Sequence, residues 1–216
     1  MSLFMRHLLK QCRNPNGWFG KLLARGMNVG HSKMTDWGLQ HFSIDKQAVI
    51  LDIGCGGGGT IRKLARMADH GKVYGIDYSE ESVTISKSTN RQLIKRGRVE
   101  IQAGSVTSLP YPDDQFDFIT AVETHYFWPD LVTNLQEVRR VLKPGGKLVI
   151  IGEAYKGGKF EERNQQWVTL GNMAYHSITE FAALFSSAGY VEVQVFEEYN
   201  QGWICGVGCK PNGKYI

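Results

Sequence analysis

Residues 50–61 read ILDIGCGGGGTI. A short apolar run carries an acid, Asp52, near its end, and Gly54, Gly56, Gly57, Gly58 and Gly59 follow. Glycine is about 1 kcal/mol worse than alanine inside a helix, so four in a row make a poor start for one. The run implies that something comes too close to this backbone for side chains to be tolerated.

Outward from that stretch, short apolar runs alternate with amphipathic ones. AVILDIG (48–54) is continuously apolar up to Asp52, as suits a strand covered on both faces. TIRKLARMA (60–68) has helical spacing, with Ile61, Leu64, Ala65 and Ala68 on one side. KVYGID (72–77) predicts a second strand, and SEESVTISKSTNRQLIKRG (79–97) a single second helix, capped by Ser79 and ending near Gly97. RVEIQAG (98–104), FDFITAV (116–122) and GKLVIIGEA (146–154) predict three more strands, the last preceded by a helix over 131–142. ITEFAALFSSAG (178–189) predicts a helix; YVEVQVFEEY (190–199) and GWICGVGCK (202–210) predict a hairpin. This alternation predicts an α/β fold with a doubly wound, mostly parallel, seven-stranded sheet whose last strand is antiparallel. Ligands of such sheets bind at the carboxyl ends of the strands.

Two segments stand outside the alternation. Residues 1–45 predict a helical N-terminal cap or lid, with Trp18, Phe19, His31 and Trp37 among its glycines; residues 46–216 form the main domain. Residues 155–176 predict a cap insertion at the ligand-binding edge. The opening MSLFMRHLLKQC reads as an amphipathic helix, because Arg6, His7 and Lys10 interrupt it as they would not a signal peptide. No apolar run approaches the roughly 20 residues of a membrane span. The net charge of +4 is dispersed among acids, which argues against a nucleic-acid stripe. Cys12, Cys55, Cys205 and Cys209 lack metal-site spacing and read as free thiols in a reducing cytoplasm. No metal is called for, and a monomer or homodimer is expected.

Four readings compete for the glycines. A P-loop needs Gly-Lys-Ser/Thr, and Gly59 is followed by Thr60 and Ile61. A structural turn needs fewer glycines. A dinucleotide would use Gly54, Gly56 and Gly59 with Asp77 on its ribose, but Asp52 would repel the pyrophosphate. S-adenosylmethionine meets both demands. Its carboxylate suits a helix N-terminus, its ammonium suits Asp52, and its ribose diol suits Asp77. A carboxylate against the sulfonium would stabilise the starting state more than the transition state, so Asp52 is expected to address the ammonium.

ILDIGCGGGG resembles motif I of class I S-adenosylmethionine-dependent methyltransferases, and VYGIDYS resembles the acidic ribose motif that follows it. GSVTSLPYPDDQFDFITAV (104–122) and LQEVRRVLKPGGKLVI (135–150) resemble the segments that come next, in the family's order. The nearest likeness is to small-molecule enzymes of the ubiquinone/menaquinone C-methyltransferase type. The resemblance implies a Rossmann-like fold and S-adenosyl-L-methionine as cofactor, with S-adenosyl-L-homocysteine as product. It places the cofactor against Asp52, Gly54, Cys55 and Gly56 after the first strand, and Asp77, Tyr78 and Ser79 after the second. Gly104, Ser105 and Val106 would follow the third, and Ala121, Val122 and Glu123 the fourth. Ser105 departs from the family's usual aspartate, which leaves adenine to packing against Tyr78 and Val106.

His31, Glu123 and His125 are the candidate catalytic residues, and Glu153 is a further candidate base. Trp37, Tyr126 and Tyr155 are candidate acceptor contacts, with Trp128, Trp167 and Tyr175 completing an aromatic wall. Absence of an Asn/Asp-Pro-Pro-aromatic segment and of a Pro-Cys pair turns the reading from nucleic-acid bases to a small, partly aromatic or apolar acceptor. The alternatives are methylation of protein or RNA, a nicotinamide oxidoreductase, and a non-catalytic binding module.

Overall fold

The computed structural model describes residues 30–213. The helix expected over residues 1–12 lies outside the described residues, as do Cys12, Trp18 and Phe19. Strands β1 (Val49–Ile53), β2 (Lys72–Asp77), β3 (Val99–Ala103), β4 (Phe116–Val122), β5 (Leu142–Gly152), β6 (Val191–Glu198) and β7 (Trp203–Cys209) form one sheet. Their order is β3-β2-β1-β4-β5-β7-β6. All neighbours run parallel except β7, which is antiparallel to both β5 and β6. The strand order reverses between β1 and β4, so a crevice opens at their carboxyl ends.

Pleating splits the core into two layers. Leu51 and Ile53 of β1 join Phe116, Ile119 and Ile150 on one face. Ile50 joins Val73, Phe118, Val149 and Ile151 on the other. Helices α1 (Ser32–Leu39), α2 (Gly59–Met67), α3 (Glu80–Thr89), α4 (Arg91–Lys95), α5 (Leu131–Val141), α6 (Glu161–Gly171) and α7 (Ile178–Ser187) complete the fold. Each fully buried Leu, Ile or Phe side chain in these layers contributes about 1.5–3 kcal/mol. Among the described residues no helix is long and apolar enough to cross a membrane.

The single helix expected over 79–97 is two helices, broken at Asn90. Asparagine competes for backbone partners and so tends to end helices. Here its buried amide donates to Ser86 O and Gly58 O, both at 3.0 Å, tying α3 to the glycine loop. Strand β5 begins at Leu142, earlier than predicted, because Leu142 pairs with Phe116 before the bend at Gly145. Two helices lie near the carboxyl edge. Gly38 brings α1 against the Ile151 side chain of β5, where an added Cβ would lie 2.5 Å from Cδ1. Asn164 of α6 donates to Glu153 O at 3.1 Å.

Gly58 has φ +80°, and a Cβ there would meet the Asn90 amide and lie 3.0 Å from Ser86 Cα. Gly97 has a similar φ of +71°, and a Cβ added there would have nothing within 4 Å. A left-handed L-residue costs about 1–2 kcal/mol. Gly97→Ala is therefore expected to lose about that much stability in urea titration, and Gly58→Ala measurably more. Equal losses would refute the close approach of α3 to the loop.

Candidate active site

A cavity of about 760 Å³ occupies the carboxyl edge of β1, β2, β4 and β5. Asp77 closes β2 and is 7% exposed. Its Oδ2 accepts the Gly56 N–H at 2.9 Å, and its Oδ1 accepts the Ser79 N–H at 2.9 Å. An ionised carboxylate offers about four acceptor positions. Asp77 thus pins two loops together and retains capacity for a diol in the cavity. Burial pushes its pKa up, against the pull of those two N–H groups.

The glycines divide by what faces them. At Gly54 (φ +70°) an added Cβ would collide with Thr124, which stands beyond the end of β4. At Gly58 the obstacle is α3. Gly56 (φ +49°) has only its own loop's Gly54 carbonyl within 4.0 Å, and it lines the cavity. Gly56 is therefore where ligand can lie on bare backbone, whereas Gly54 and Gly58 answer to the protein's own packing.

Beyond β4, Glu123 adopts φ +57°, in the sparsely occupied left-handed region. Its Oε1 accepts from Tyr126 Oη at 2.9 Å and from the Glu153 N–H at 2.8 Å. The Tyr126 hydroxyl in turn accepts the N–H groups of Glu153 (2.8 Å) and Ala154 (3.0 Å). Burial and the Glu153 charge push Glu123 up to about 8. His31, ahead of α1, enters the same wall; burial lowers its basicity, with Glu153 opposing. Phe127, Trp128, Trp167 and Met173 face the cavity as an apolar wall.

Of the expected cofactor contacts, Gly54, Cys55, Gly56, Asp77, Tyr78, Gly104, Ser105, Val106, Val122 and Glu123 line the cavity. Tyr78 is half exposed. Ser105 Oγ already accepts the Thr107 N–H at 3.2 Å. Among the described residues the wall does not include Asp52, Ser79 or Ala121. Asp52 pairs in register with Thr120 on β4, and pleating turns both side chains to the same buried face. Its Oδ1 accepts from Thr120 Oγ1 at 2.7 Å, while Oδ2 has no partner among the described residues. Asp52, expected to meet the ammonium, is thus buried against Thr120 and outside the cavity wall. Ser79 caps α3, its side chain accepting from the Ser82 N–H, and reaches the cavity through Asp77. Ala121 is fully buried in the core.

His125 also leaves the site. The 3₁₀ turn His125–Phe127 folds its ring inward, 4.0 Å from Tyr126 and 5.3 Å from Phe181 between centroids. Burial, assisted by His176, drives it down to about 3, so it is neutral packing. Trp37 packs on His41 and Trp203. Tyr155 is buried and donates to Glu197 at 2.7 Å. Neither it nor Tyr175 faces the cavity, whereas Tyr126 does. Sequence reasoning missed Thr124, Lys63, Arg163, Asn164 and Met173 in the wall. Arg163 and Met173 fall within the expected insertion, but no periodicity there marks which side chains turn inward.

A methyltransferase-domain family model matches residues 51–150. The demethylmenaquinone methyltransferase of Bacillus licheniformis is 28% identical over 187 residues, covering 76% of this chain and 79% of that protein. The Anoxybacillus flavithermus enzyme of the same name is 28% identical, covering 82% and 84%. The crystal structure of an S-adenosylmethionine-dependent methyltransferase from Aquifex aeolicus superposes with TM-score 0.72 at 23% identity, covering 88% and 97%.

The burial of Asp52 supplies a test. Burial raises its pKa from 3.8 to about 7, the Thr120 bond opposing and the Asp77 charge adding. The folded value lies above the unfolded one, so the native state holds a proton that the unfolded chain releases. The Asp52 contribution to stability should fall by about 4 kcal/mol as pH rises from about 4 to about 7. Asp52→Asn is expected to flatten that part of the urea-measured stability profile. A variant with the wild-type slope would mean that Asp52 is not the buried titrating group.

Proposed function

We propose, from the premise that the chain is a class I S-adenosylmethionine-dependent methyltransferase, that its acceptor is a small, electron-rich aromatic of the hydroquinone kind. The observation that carries this reading is the continuous cavity running from Asp77 and Gly56 to an apolar wall at Phe127, Trp128, Trp167 and Met173. Its volume falls within the range of small-molecule sites and suits a cofactor with a small flat partner. The Bacillus and Anoxybacillus relatives, whose names specify a demethylmenaquinone, support the same acceptor class.

Bound S-adenosylmethionine supplies a methyl group on a cationic sulfur, open to displacement by an electron pair of the acceptor. The chain's part is mainly positioning, which contributes about 7–11 kcal/mol in favourable cases. Asp77 takes the ribose diol on the lone pairs left by Gly56 and Ser79. Gly56 and the start of α2 receive the carboxylate end, where N–H groups and the helix dipole favour an anion. Tyr78 and Val106 pack against adenine. His31, Glu123 and Glu153 form the polar end of the cavity, where the acceptor hydroxyl is oriented and loses its proton. A small acceptor is favoured over a nucleic acid because aromatic side chains, rather than a basic groove, make up that wall. The free, buried thiols of Cys55, Cys205 and Cys209 support a reducing, cytoplasmic setting.

A panel of hydroquinones, catechols and phenols with methyl-labelled S-adenosylmethionine tests the acceptor class. Label is expected in the hydroquinone or catechol products; transfer only to protein or RNA would overturn the reading. Asp77→Ala is expected to weaken S-adenosylhomocysteine binding by about 1.5–3 kcal/mol in calorimetry, and unchanged affinity would move the ribose elsewhere. Trp167, on α6 and 42% exposed, is placed to stack on the acceptor. Trp167→Ala should raise acceptor KM about tenfold while leaving S-adenosylhomocysteine affinity intact. A loss confined to cofactor affinity would count against an acceptor role.

A further inference from the structure

Three side chains with metal-ligating atoms reach one point in the cavity from three separate elements. His31 stands ahead of α1, Glu123 follows β4 and Glu153 follows β5. One donor atom from each lies within 4.8 Å of the other two. We propose that His31, Glu123 and Glu153 bind a divalent first-row transition ion, and that this ion takes two neighbouring oxygens of an ortho-dioxygenated acceptor. The inference rests on the methyltransferase reading, adds a metal to it, and moves the acceptor from the para oxygens of a hydroquinone to the neighbouring oxygens of a catechol.

The donor set is one imidazole nitrogen and two carboxylates. Such a mixture suits Mn²⁺, Fe²⁺ or Zn²⁺ better than Mg²⁺ or Ca²⁺, which prefer oxygen alone. Metal–ligand bonds of about 2.1 Å put tetrahedral ligands about 3.4 Å apart around such an ion. The three donor separations are bounded by 4.8 Å, so side-chain rotations have to draw the donor atoms together around the ion.

Glu123 is prepared for such a role in two ways. Its Oε1 is held by the Tyr126 hydroxyl and the Glu153 N–H, and neither of these bonds uses Oε2. Outer partners of this kind orient metal-bound carboxylates. Its left-handed backbone, φ +57°, turns the residue out of the line of β4. Two ionised carboxylates so close together repel, and a proton on one of them or a cation between them relieves it. Arg163, in the same wall, donates to Asn164 Oδ1 at 3.2 and 3.1 Å, and its charge also favours the ionised form of Glu123.

Three protein ligands leave coordination positions open, as catalytic metal sites require. The cavity lies on that open side, with Trp128 and Trp167 in its wall. Two adjacent acceptor oxygens would chelate the ion and fix the ring against that wall. Coordination acidifies the bound hydroxyl, and its proton passes to solvent with no other bond altered. The electron pair thus exposed then forms the new bond to the methyl carbon. The sulfur–methyl bond breaks with both electrons going to sulfur.

The test uses the full-length enzyme, stripped with a chelator and dialysed, and Mn²⁺ alone followed by electron paramagnetic resonance. One ion is expected to bind per chain in the wild type. Glu153→Gln and His31→Gln should each weaken it by about 100-fold, with S-adenosylhomocysteine affinity in calorimetry reporting that the fold is intact. Catechol methylation should vanish on stripping and return with Mn²⁺ or Zn²⁺. No Mn²⁺ binding by a wild type that still binds S-adenosylhomocysteine would overturn the proposal. Full methylation by the stripped enzyme would also overturn it, while leaving the methyltransferase reading standing. Conversely, one Mn²⁺ bound through His31 and Glu153, with no acceptor on the panel methylated, would uphold the ion site and sink the acceptor reading.

Discussion

The carboxylate of Asp77 holds the two halves of the crevice in register. It ends β2, accepts one N–H from the glycine loop after β1 and another from the cap of α3, and is almost enclosed. Hydrogen bonds to a charged group are worth about 1.5–3 kcal/mol each, so the two together set the width of the crevice mouth. Burial raises the acid's pKa and the two donors lower it again. The same carboxylate that shapes the loops thereby retains acceptor capacity toward the cavity.

Around that contact the glycine loop is fitted to its neighbours on both sides. Thr124 presses on Gly54, and Ser86 with Asn90 presses on Gly58, leaving Gly56 open to the cavity. Gly54 and Gly58 are thus required by the close approach of β4 and α3, whereas Gly56, Gly57 and Gly59 line the cavity. Asn90 serves twice, ending α3 and binding the Gly58 carbonyl. A buried amide in that position couples the helix break to the shape of the loop.

The far end of the cavity depends on a second node. Tyr126 links Glu123 to the backbone of Glu153 and Ala154, so the ends of β4 and β5 are locked edge to edge. His31 then closes the corner from outside the sheet. A pocket built this way holds its ionisable groups on three separate elements, and their spacing follows from how those elements pack.

The order of strands and helices was legible in the sequence because periodicity reports burial directly: continuous apolar runs for covered strands, helical spacing between them, and a hairpin at the end. Asp77, Gly56 and Glu123 were legible as well, since a parallel sheet places the residues after each strand at one edge. The rest depended on distance. Asp52 and Ile53 are adjacent in sequence, yet pleating buries the acid against Thr120 and gives its neighbour to the cavity wall. His125 and Tyr126 are adjacent too, and one turn of 3₁₀ helix sends the histidine into the core and leaves the tyrosine at the wall. The sequence by itself determined the fold class and the edge where a ligand must lie, because those follow from local pattern. Only tertiary packing decided which side chains face that edge, because a side chain's direction depends on partners that are far away along the chain.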